Sequence, residues 1–209
     1  MPKVWLQSGE NYSIIVWHST EPIEELLENA RLSESEYTKW RAFLSNARKR
    51  EWLTVRNAVR ILIPGNPQNV IHYDENGKPK LTYKSISISH SNDFIAVMIS
   101  EKENIGIDIE EIGTRIERLS QKFLSVNEKQ YGYSSKHIEK LHVMWGAKEV
   151  LFKIHSIGNL IFISDLLVHP FIYTGSGVVQ ATILKKGFEK DYPVNYLQMN
   201  DYMLVWGVG

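Results

Sequence analysis

The sequence predicts an α+β protein of two similar α/β lobes, related by a pseudo-two-fold, in which mostly antiparallel sheets pack against helices. A helix-capping pattern, Ser33-x-x-Glu36, recurs as Ser125-x-x-Glu128, and a helix that carries a tryptophan follows each copy. Residues 85–91 alternate with period two and are followed by a turn and an apolar return strand, as in an antiparallel hairpin. The repeat predicts a ligand in the cleft between the lobes.

The composition excludes several classes of protein. The 209 residues include 24 lysines plus arginines and 24 aspartates plus glutamates, so no global charge attracts nucleic acid or a membrane. The absence of cysteine excludes disulfides, thiolate metal sites and cysteine nucleophiles. No basic segment followed by an apolar run occurs at the N-terminus, and no apolar stretch has membrane-spanning length. We therefore expect a cytoplasmic protein.

The first elements are a buried strand over 12–17, a helix over 21–30 and a second helix that the capping box starts near Glu34. A basic helix follows and ends at Pro64-Gly65. Glu51 is the only acidic residue among the cations of this segment. This excess of positive charge favours a polyanionic ligand. The alternative is a basic helix face exposed to solvent, which is the more common case. The cations are Lys39, Arg41, Arg48, Lys49, Arg50, Arg56 and Arg60.

The hairpin region comes next. Turn residues at 74–77 deliver Lys78 to an extended segment, and the strands over 85–91 and 94–99 pair across a turn. Ser89 and His90 stand at the end of the first strand. Hydroxyls and an imidazole at such a place could hold a phosphate, and a purely structural role for the histidine is equally open.

Carboxylates alternate with isoleucines over 105–110. In a strand the three isoleucines point to one face, while Asp108 and Glu110 point to the other, about 7 Å apart. Hard oxygen ligands on a rigid strand suit Mg²⁺, which completes its shell with water and phosphate oxygens. The alternative is an edge strand with a solvated acidic face.

The second half contains a helix over 116–124, the second capping box, an exposed loop over 132–135 and a long helix over 141–154. On that long helix Lys148 lies inside the apolar stripe, whereas Glu149 and Lys153 lie at its rim. A pair spaced i,i+4 is most often a surface salt bridge. Positions in or beside an apolar stripe usually face protein, which favours a functional role. Strands are predicted over 161–168, 178–184, 196–199 and 202–206.

Two of these segments together resemble the signature motifs of the 4′-phosphopantetheinyl transferases, G-[IV]-D-x-E and W-x-x-K-E-x-x-x-K. They are Gly106-Ile107-Asp108-Ile109-Glu110 and Trp145-Gly146-Ala147-Lys148-Glu149-x-x-x-Lys153. Gly77-Lys78-Pro79 and Ser87-Ile88-Ser89-His90-Ser91 are similar to the upstream motifs of the family. The length is similar to that of the large pseudodimeric subfamily typified by the activator of surfactin synthetase, whose two-lobed 4′-phosphopantetheinyl transferase fold agrees with the repeat.

The resemblance implies transfer of the phosphopantetheine arm of coenzyme A to a serine of an apo acyl or peptidyl carrier protein, with release of adenosine 3′,5′-bisphosphate. It implies that Asp108, Glu110 and Glu149 hold Mg²⁺. Glu149 would also accept the serine proton, and Lys153 would bind the pyrophosphate, with support from Lys148. Asp108, Glu149 and Lys153 would thus be the catalytic residues.

The resemblance also implies a division of labour. An N-terminal lobe, 1–104, would carry the coenzyme A-binding motifs, and a C-terminal lobe, 105–209, the metal-binding and catalytic motifs. Ser89 and His90 would contact coenzyme A phosphates, and Lys78 would lie beside the nucleotide. Lys39 and Arg56 are the candidates for the 3′-phosphate.

Three further expectations concern partners and alternatives. An acidic carrier would dock on basic surface near 48–50 by charge complementarity. The protein would be a monomer, since an internal pseudodimer needs no partner subunit. The rival functions are a catalytically inactive coenzyme A or nucleotide-binding module and a Mg²⁺-dependent phosphohydrolase.

Overall fold

A computed structural model describes residues 3–65, 71–75, 77–155 and 160–209, the side chains of Lys3 and Val4 excepted. The chain divides into two compact units, Met1–Lys102 and Glu103–Gly209. The N-terminal unit contains β1 (Lys3–Ser8), β2 (Tyr12–His18), α1 (Ile23–Ala30), α2 (Glu34–Arg41), α3 (Asn46–Leu62), β3 (His72–Tyr73), β4 (Pro79–Lys80), β5 (Ser85–Ser91) and β6 (Phe94–Ser100). The C-terminal unit contains β7 (Ile105–Glu111), α4 (Arg115–Ser120), α5 (Val126–Gly132), α6 (His137–His155), β8 (Leu166–Val168), β9 (Ser176–Lys185), β10 (Phe188–Met199) and β11 (Tyr202–Val208).

Each unit contains one antiparallel sheet. The strand order is β1-β2-β6-β5-β4-β3 in the N-terminal unit and β7-β11-β10-β9-β8 in the C-terminal unit. Each unit also packs a long helix against its own sheet, α3 on β2 and β6, and α6 on β11 and on β7, which is the first strand in the order of its sheet. The predicted α+β class with antiparallel sheets is confirmed.

Capping chemistry sets the start of the helices in both units. The hydroxyl of Ser33 accepts from the backbone N–H of Glu36, whose carboxylate accepts from the backbone N–H of Ser33. Ser125 and Glu128 form the same reciprocal box. Each box satisfies two backbone donors that a helix start would leave unpaired, so both predicted helix starts are confirmed.

Two glycines allow α6 to lie close against its sheet. A Cβ atom at Gly106 of β7 would stand 2.5 Å from the carbonyl oxygen of Val150, and one at Gly146 of α6 would stand 2.5 Å from a methyl carbon of Val205. Any other residue at either position would push helix and sheet apart. This close approach brings the polar rim of α6 against the acidic face of β7.

Local hydrogen bonds account for three differences from the predicted elements. The hydroxyl of Ser120 donates to the Glu117 carbonyl, and α4 ends there rather than at 124. Gly132 is buried at the end of α5 rather than in an exposed loop. The Asp165 carboxylate accepts from the N–H of Ile161, so 161–165 forms a turn and only β8 remains of the predicted strand.

The sequence patterns did not predict β1 or β3, whereas β4 lies at the start of the extended segment that was predicted after the 74–77 turn. The predicted 74–77 turn brings residues 73 and 79 together as partners of β3 and β4, and Asn76 lies outside the described residues. Two-residue strands are too short to show a period of two.

Candidate active site

Asp108 is the centre of a polar cluster in the C-terminal unit. It lies on β7, only 4% exposed, while the isoleucines of that strand point to the opposite face. The ammonium of Lys153 donates to Asp108 Oδ1 at 3.0 Å and to the carbonyl oxygen of Ile107 at 2.7 Å. The predicted alternation is therefore confirmed, and Lys153 of α6 ties the helix to this strand.

Glu149 lies one helical turn before Lys153 and shares the same environment. Burial, together with the negative charges of Asp108 and Glu110, raises the pKa of its carboxyl to about 7, against the opposing effect of Lys153. A carboxylate resists ionisation in this way when it lacks water and faces like charges. The three carboxylates thus interact electrostatically as one group, although Asp108 and Glu149 are 41 positions apart in the chain.

This group fits a divalent cation that needs few protein ligands. In the part of the chain that the structure describes, no group of three or more His, Cys, Asp or Glu side chains is placed to hold a metal ion. Mg²⁺ usually binds through one or two carboxylates and completes its octahedron with water and phosphate oxygens. Excess negative charge held in a partly buried place is what such an ion would relieve. The carboxylates of Asp108, Glu110 and Glu149 therefore have the donor chemistry for Mg²⁺ bound through one or two of them together with a phosphate.

In the N-terminal unit, Ser89 and His90 lie at the end of β5, as predicted. The His90 side chain is 53% exposed, and its Nε2 lies 3.3 Å from a carboxylate oxygen of Glu51. Beside Glu51 is a pocket of about 270 Å³. The pocket is lined by Ser19, Asn46, Ala47, Arg50, Glu51, Asn92, Asp93 and Ile95.

The three predicted nucleotide-binding cations differ in accessibility. Lys39 is exposed, with its ammonium 4.9 Å from the ring centroid of Tyr73. Lys78 is partly buried, which lowers its pKa. Arg56 is only 6% exposed and donates to the Glu36 carboxylate at 3.1 Å. Burial lowers the pKa of Arg56 to about 10, and its interaction with Tyr73 places it near Lys39.

A comparison with protein families identifies the superfamily to which the C-terminal unit is similar. The profile of the 4′-phosphopantetheinyl transferase superfamily matches residues 104–204, a segment that contains Asp108, Glu110, Glu149 and Lys153 and spans almost the whole C-terminal unit.

The C-terminal unit of this chain belongs to the 4′-phosphopantetheinyl transferase superfamily. A search of curated proteins finds no match to the chain. Among the described residues, no helix has the length and apolar character needed to cross a membrane.

The buried lysine of the phosphopantetheinyl transferase motif does not join the carboxylate cluster. Lys148 is fully buried, and its ammonium donates to Glu128 Oε2 at 2.8 Å and to the carbonyl oxygens of Phe123 and Phe162 at 2.6 and 2.9 Å. Its three donors are thereby satisfied by three different segments. The expectation that Lys148 supports phosphate binding is wrong; it holds the transferase unit together.

One supporting residue was missed by the sequence reasoning. His142 lies on α6, two turns before Glu149, and its Nε2 accepts from the backbone N–H of Gly113 at 3.0 Å. Burial lowers the pKa of His142, which favours the neutral ring that such an acceptor requires. The contact fixes the chain just beyond β7 of the transferase. The sequence feature that could have identified His142 is its spacing of seven residues, about two helical turns, from Glu149.

Proposed function

We propose that the chain transfers the phosphopantetheine arm of coenzyme A to a serine of an apo acyl or peptidyl carrier protein. The observation that carries this proposal is the carboxyl of Glu149, whose pKa is raised to about 7 within a transferase-superfamily unit, beside Asp108 and Lys153. A general base works best when its pKa lies near the operating pH.

Glu149 takes the proton of the carrier serine. The serine oxygen then forms a bond to the phosphorus on the pantetheine side of the pyrophosphate, and the bond from that phosphorus to the bridging oxygen breaks. Adenosine 3′,5′-bisphosphate leaves with the bond's electron pair. Lys153, held by Asp108, offers its positive charge to the pyrophosphate as this charge develops. Bound Mg²⁺, held by Asp108, Glu110 and Glu149, would supply further charge neutralisation.

Residues of the N-terminal unit would bind the rest of coenzyme A. The exposure of His90, and the position of Ser89 beside it at a strand end, support contacts with coenzyme A phosphates. Lys78 would lie beside the nucleotide. Lys39, which is exposed, is the stronger candidate for the 3′-phosphate. Arg56 would act next to it while bound to Glu36, mainly by adding positive potential.

Intact-protein mass spectrometry tests the proposal directly. Apo acyl carrier and apo peptidyl carrier proteins are incubated with the chain, coenzyme A and Mg²⁺, and parallel samples contain a chelator. We expect a gain of one phosphopantetheine on the carrier serine that the chelator abolishes. Release of bisphosphate without a carrier would instead identify a phosphohydrolase. Coenzyme A binding without either reaction would identify an inactive binding module.

The carboxylate cluster should also lower the stability of the metal-free protein. Because the folded-state pKa of Glu149 is about 7, above its ordinary value of 4.5, the folded state loses stability relative to the unfolded state as pH rises from about 4.5 to 7. Glu149→Gln removes this penalty. At pH 8 with chelator, we expect the variant to unfold with a free energy about 1–3 kcal/mol higher than wild type.

Mg²⁺ provides the reciprocal measurement. Added Mg²⁺ should raise the melting temperature of wild type at pH 8 and have a smaller effect on Glu149→Gln, because ion binding stabilises only a folded state that retains the ligand. The matched control is Glu139→Gln on the same helix, whose carboxylate faces Lys136 at 3.8 Å. Equal Mg²⁺ responses in all three proteins would contradict the metal assignment.

A further inference from the structure

The end of α2 and the beginning of α3 form a corner with an unusual charge distribution. We call the surface made by Arg41, Leu44, Arg48 and Lys49 the α2–α3 corner. Between residues 39 and 50 the sequence contains five cations and no carboxylate. Most basic surfaces on folded proteins carry interspersed acidic residues, so this stretch concentrates positive potential.

Aromatic rings order these cations without neutralising them. The Lys49 ammonium lies 5.2 Å from the ring centroid of Trp40, and the Arg41 guanidinium lies 6.0 Å from that of Tyr37. The two rings contact each other at 5.6 Å. In the described part of the chain no ion pair joins Arg41 or Lys49 to a carboxylate. A cation held over a ring keeps its full charge, which stays available to an anionic partner.

The neighbouring arginines are more engaged. Arg48 stacks on Phe43 at 5.6 Å and also pairs with Glu51. Arg50 donates to the backbone carbonyl of Glu21. Arg48 and Arg50 therefore have protein partners, whereas Arg41 and Lys49 are the cations in and beside the predicted docking surface near 48–50 that pair with no carboxylate among the described residues.

The cations also stand where a helix disfavours them. The first turn of α3 contains Arg48 and Lys49 and no acidic residue. The N-terminus of a helix carries a partial positive charge, so cations there cost free energy, whereas carboxylates would stabilise it. The ion pair of Arg48 with Glu51 offsets part of this cost, whereas no ion pair among the described residues offsets it for Lys49. A local rule that is broken in this way is often associated with a functional surface.

Leu44 lies between the cations of this corner in the sequence. It follows Phe43 in the short connection from α2 to α3, and its side chain is fully exposed. Phe43, by contrast, packs against Trp52. An exposed apolar side chain flanked in the chain by cations matches a partner that presents a small apolar patch within an acidic surface, because charge steers the encounter and apolar burial holds the complex.

We infer that the α2–α3 corner is the docking surface for an acidic carrier protein, with Leu44 as its apolar contact and Arg41 and Lys49 as its steering charges. This inference rests on the proposed function, because it takes the carrier as the partner.

Steady-state transfer kinetics with an acidic apo carrier, measured over a range of KCl concentrations, test the inference. Arg41→Glu/Lys49→Glu should raise the KM for the carrier by about tenfold at low salt and flatten its salt dependence, with the KM for coenzyme A unchanged. Leu44→Ser should raise the KM for the carrier by about fivefold without altering the salt dependence. Lys186→Glu/Lys190→Glu is the matched charge control, since Lys190 also lies over a ring, that of Tyr192. Ile172→Ser is the apolar control, since Ile172 is 86% exposed.

The outcomes separate the two proposals. The docking surface would be overturned if the α2–α3 corner variants kept the wild-type KM for the carrier. It would also be overturned if the control variants raised that KM as much as the corner variants do. Either result would leave the proposed function standing. A wild-type protein that modifies no carrier would overturn the proposed function and the docking surface together.

Discussion

Glu149→Gln is expected to lower the turnover number for phosphopantetheine transfer by about 10³-fold, because glutamine can neither accept the serine proton nor offer a charged ligand to Mg²⁺. Glutamine has nearly the same shape as glutamate, and Glu149 stands at the rim of α6 rather than in its apolar core. We therefore expect the fold and the KM for coenzyme A to be retained. Quench-flow or steady-state measurement of holo-carrier formation gives the rate, and circular dichroism checks the fold.

The control for this variant is Glu139→Gln, which makes the same substitution on the same helix. It should retain the wild-type turnover within about twofold, as expected for a surface substitution away from the reacting groups. A Glu149→Gln protein with turnover close to wild type would remove Glu149 from the mechanism.

The pH profile separates the two roles assigned to Glu149. If it acts as the base, wild-type turnover at saturating Mg²⁺ should fall at acidic pH with an apparent pKa below the value of about 7 that the carboxyl has without metal, because a bound cation favours its ionised form. The residual activity of Glu149→Gln should lack this acidic limb. If Glu149 acts only as a metal ligand, a higher Mg²⁺ concentration should restore much of the variant's turnover, and the acidic limb should remain.

Much of this site follows from periodicity in the sequence. A period of two places Asp108 and Glu110 on one face of β7, and a helical period places Glu149 and Lys153 one turn apart on α6. What periodicity cannot state is that the two elements face each other. That depends on Gly106 and on the other contacts that seat α6 on the sheet, which are tertiary features.

Both units contain the same capping box, but their long helices correspond with an offset of one residue from the alignment of the two tryptophans. Sequence alone aligns the two tryptophans, which matches Arg56 with Glu149. In the structure the capping glutamate of each unit pairs with a cation twenty residues later, Glu36 with Arg56 and Glu128 with Lys148. Arg56 is therefore the counterpart of Lys148, one residue from the position that the tryptophans indicate.

This correction bears on function. The charges at equivalent places in the two units, Arg56 and Lys148, both serve an internal ion pair, although Arg56 keeps 6% exposure and Lys148 none. The sequence could not show this, because a helical cation that binds a ligand and one that pairs with a buried carboxylate have the same sequence pattern. Only the tertiary partner distinguishes the two cases.

Lys148→Met is expected to lower the free energy of unfolding by about 3–5 kcal/mol, because it leaves the Glu128 carboxylate buried without its cation. Both residues are fully buried, and Glu128 also accepts from the backbone N–H of Val168 at 3.0 Å. The pair therefore joins α5 and α6 to the end of β8. Urea unfolding monitored by tryptophan fluorescence measures the loss. Lys136→Met should cost less than about 1 kcal/mol, because the Lys136 side chain is 69% exposed and lies 3.8 Å from Glu139.

A second variant shows whether charge or hydrogen bonding is responsible. Lys148→Met/Glu128→Gln removes both charges and keeps a side chain that can still complete the capping box with Ser125. If the unpaired carboxylate causes the loss, the double variant should recover more than half of it. Equal losses in the single and double variants would mean that the bonds from Lys148 to the Phe123 and Phe162 carbonyls dominate. Either result shows which interaction holds α6 in place next to Glu149, since the same turn of helix carries Lys148 and Glu149.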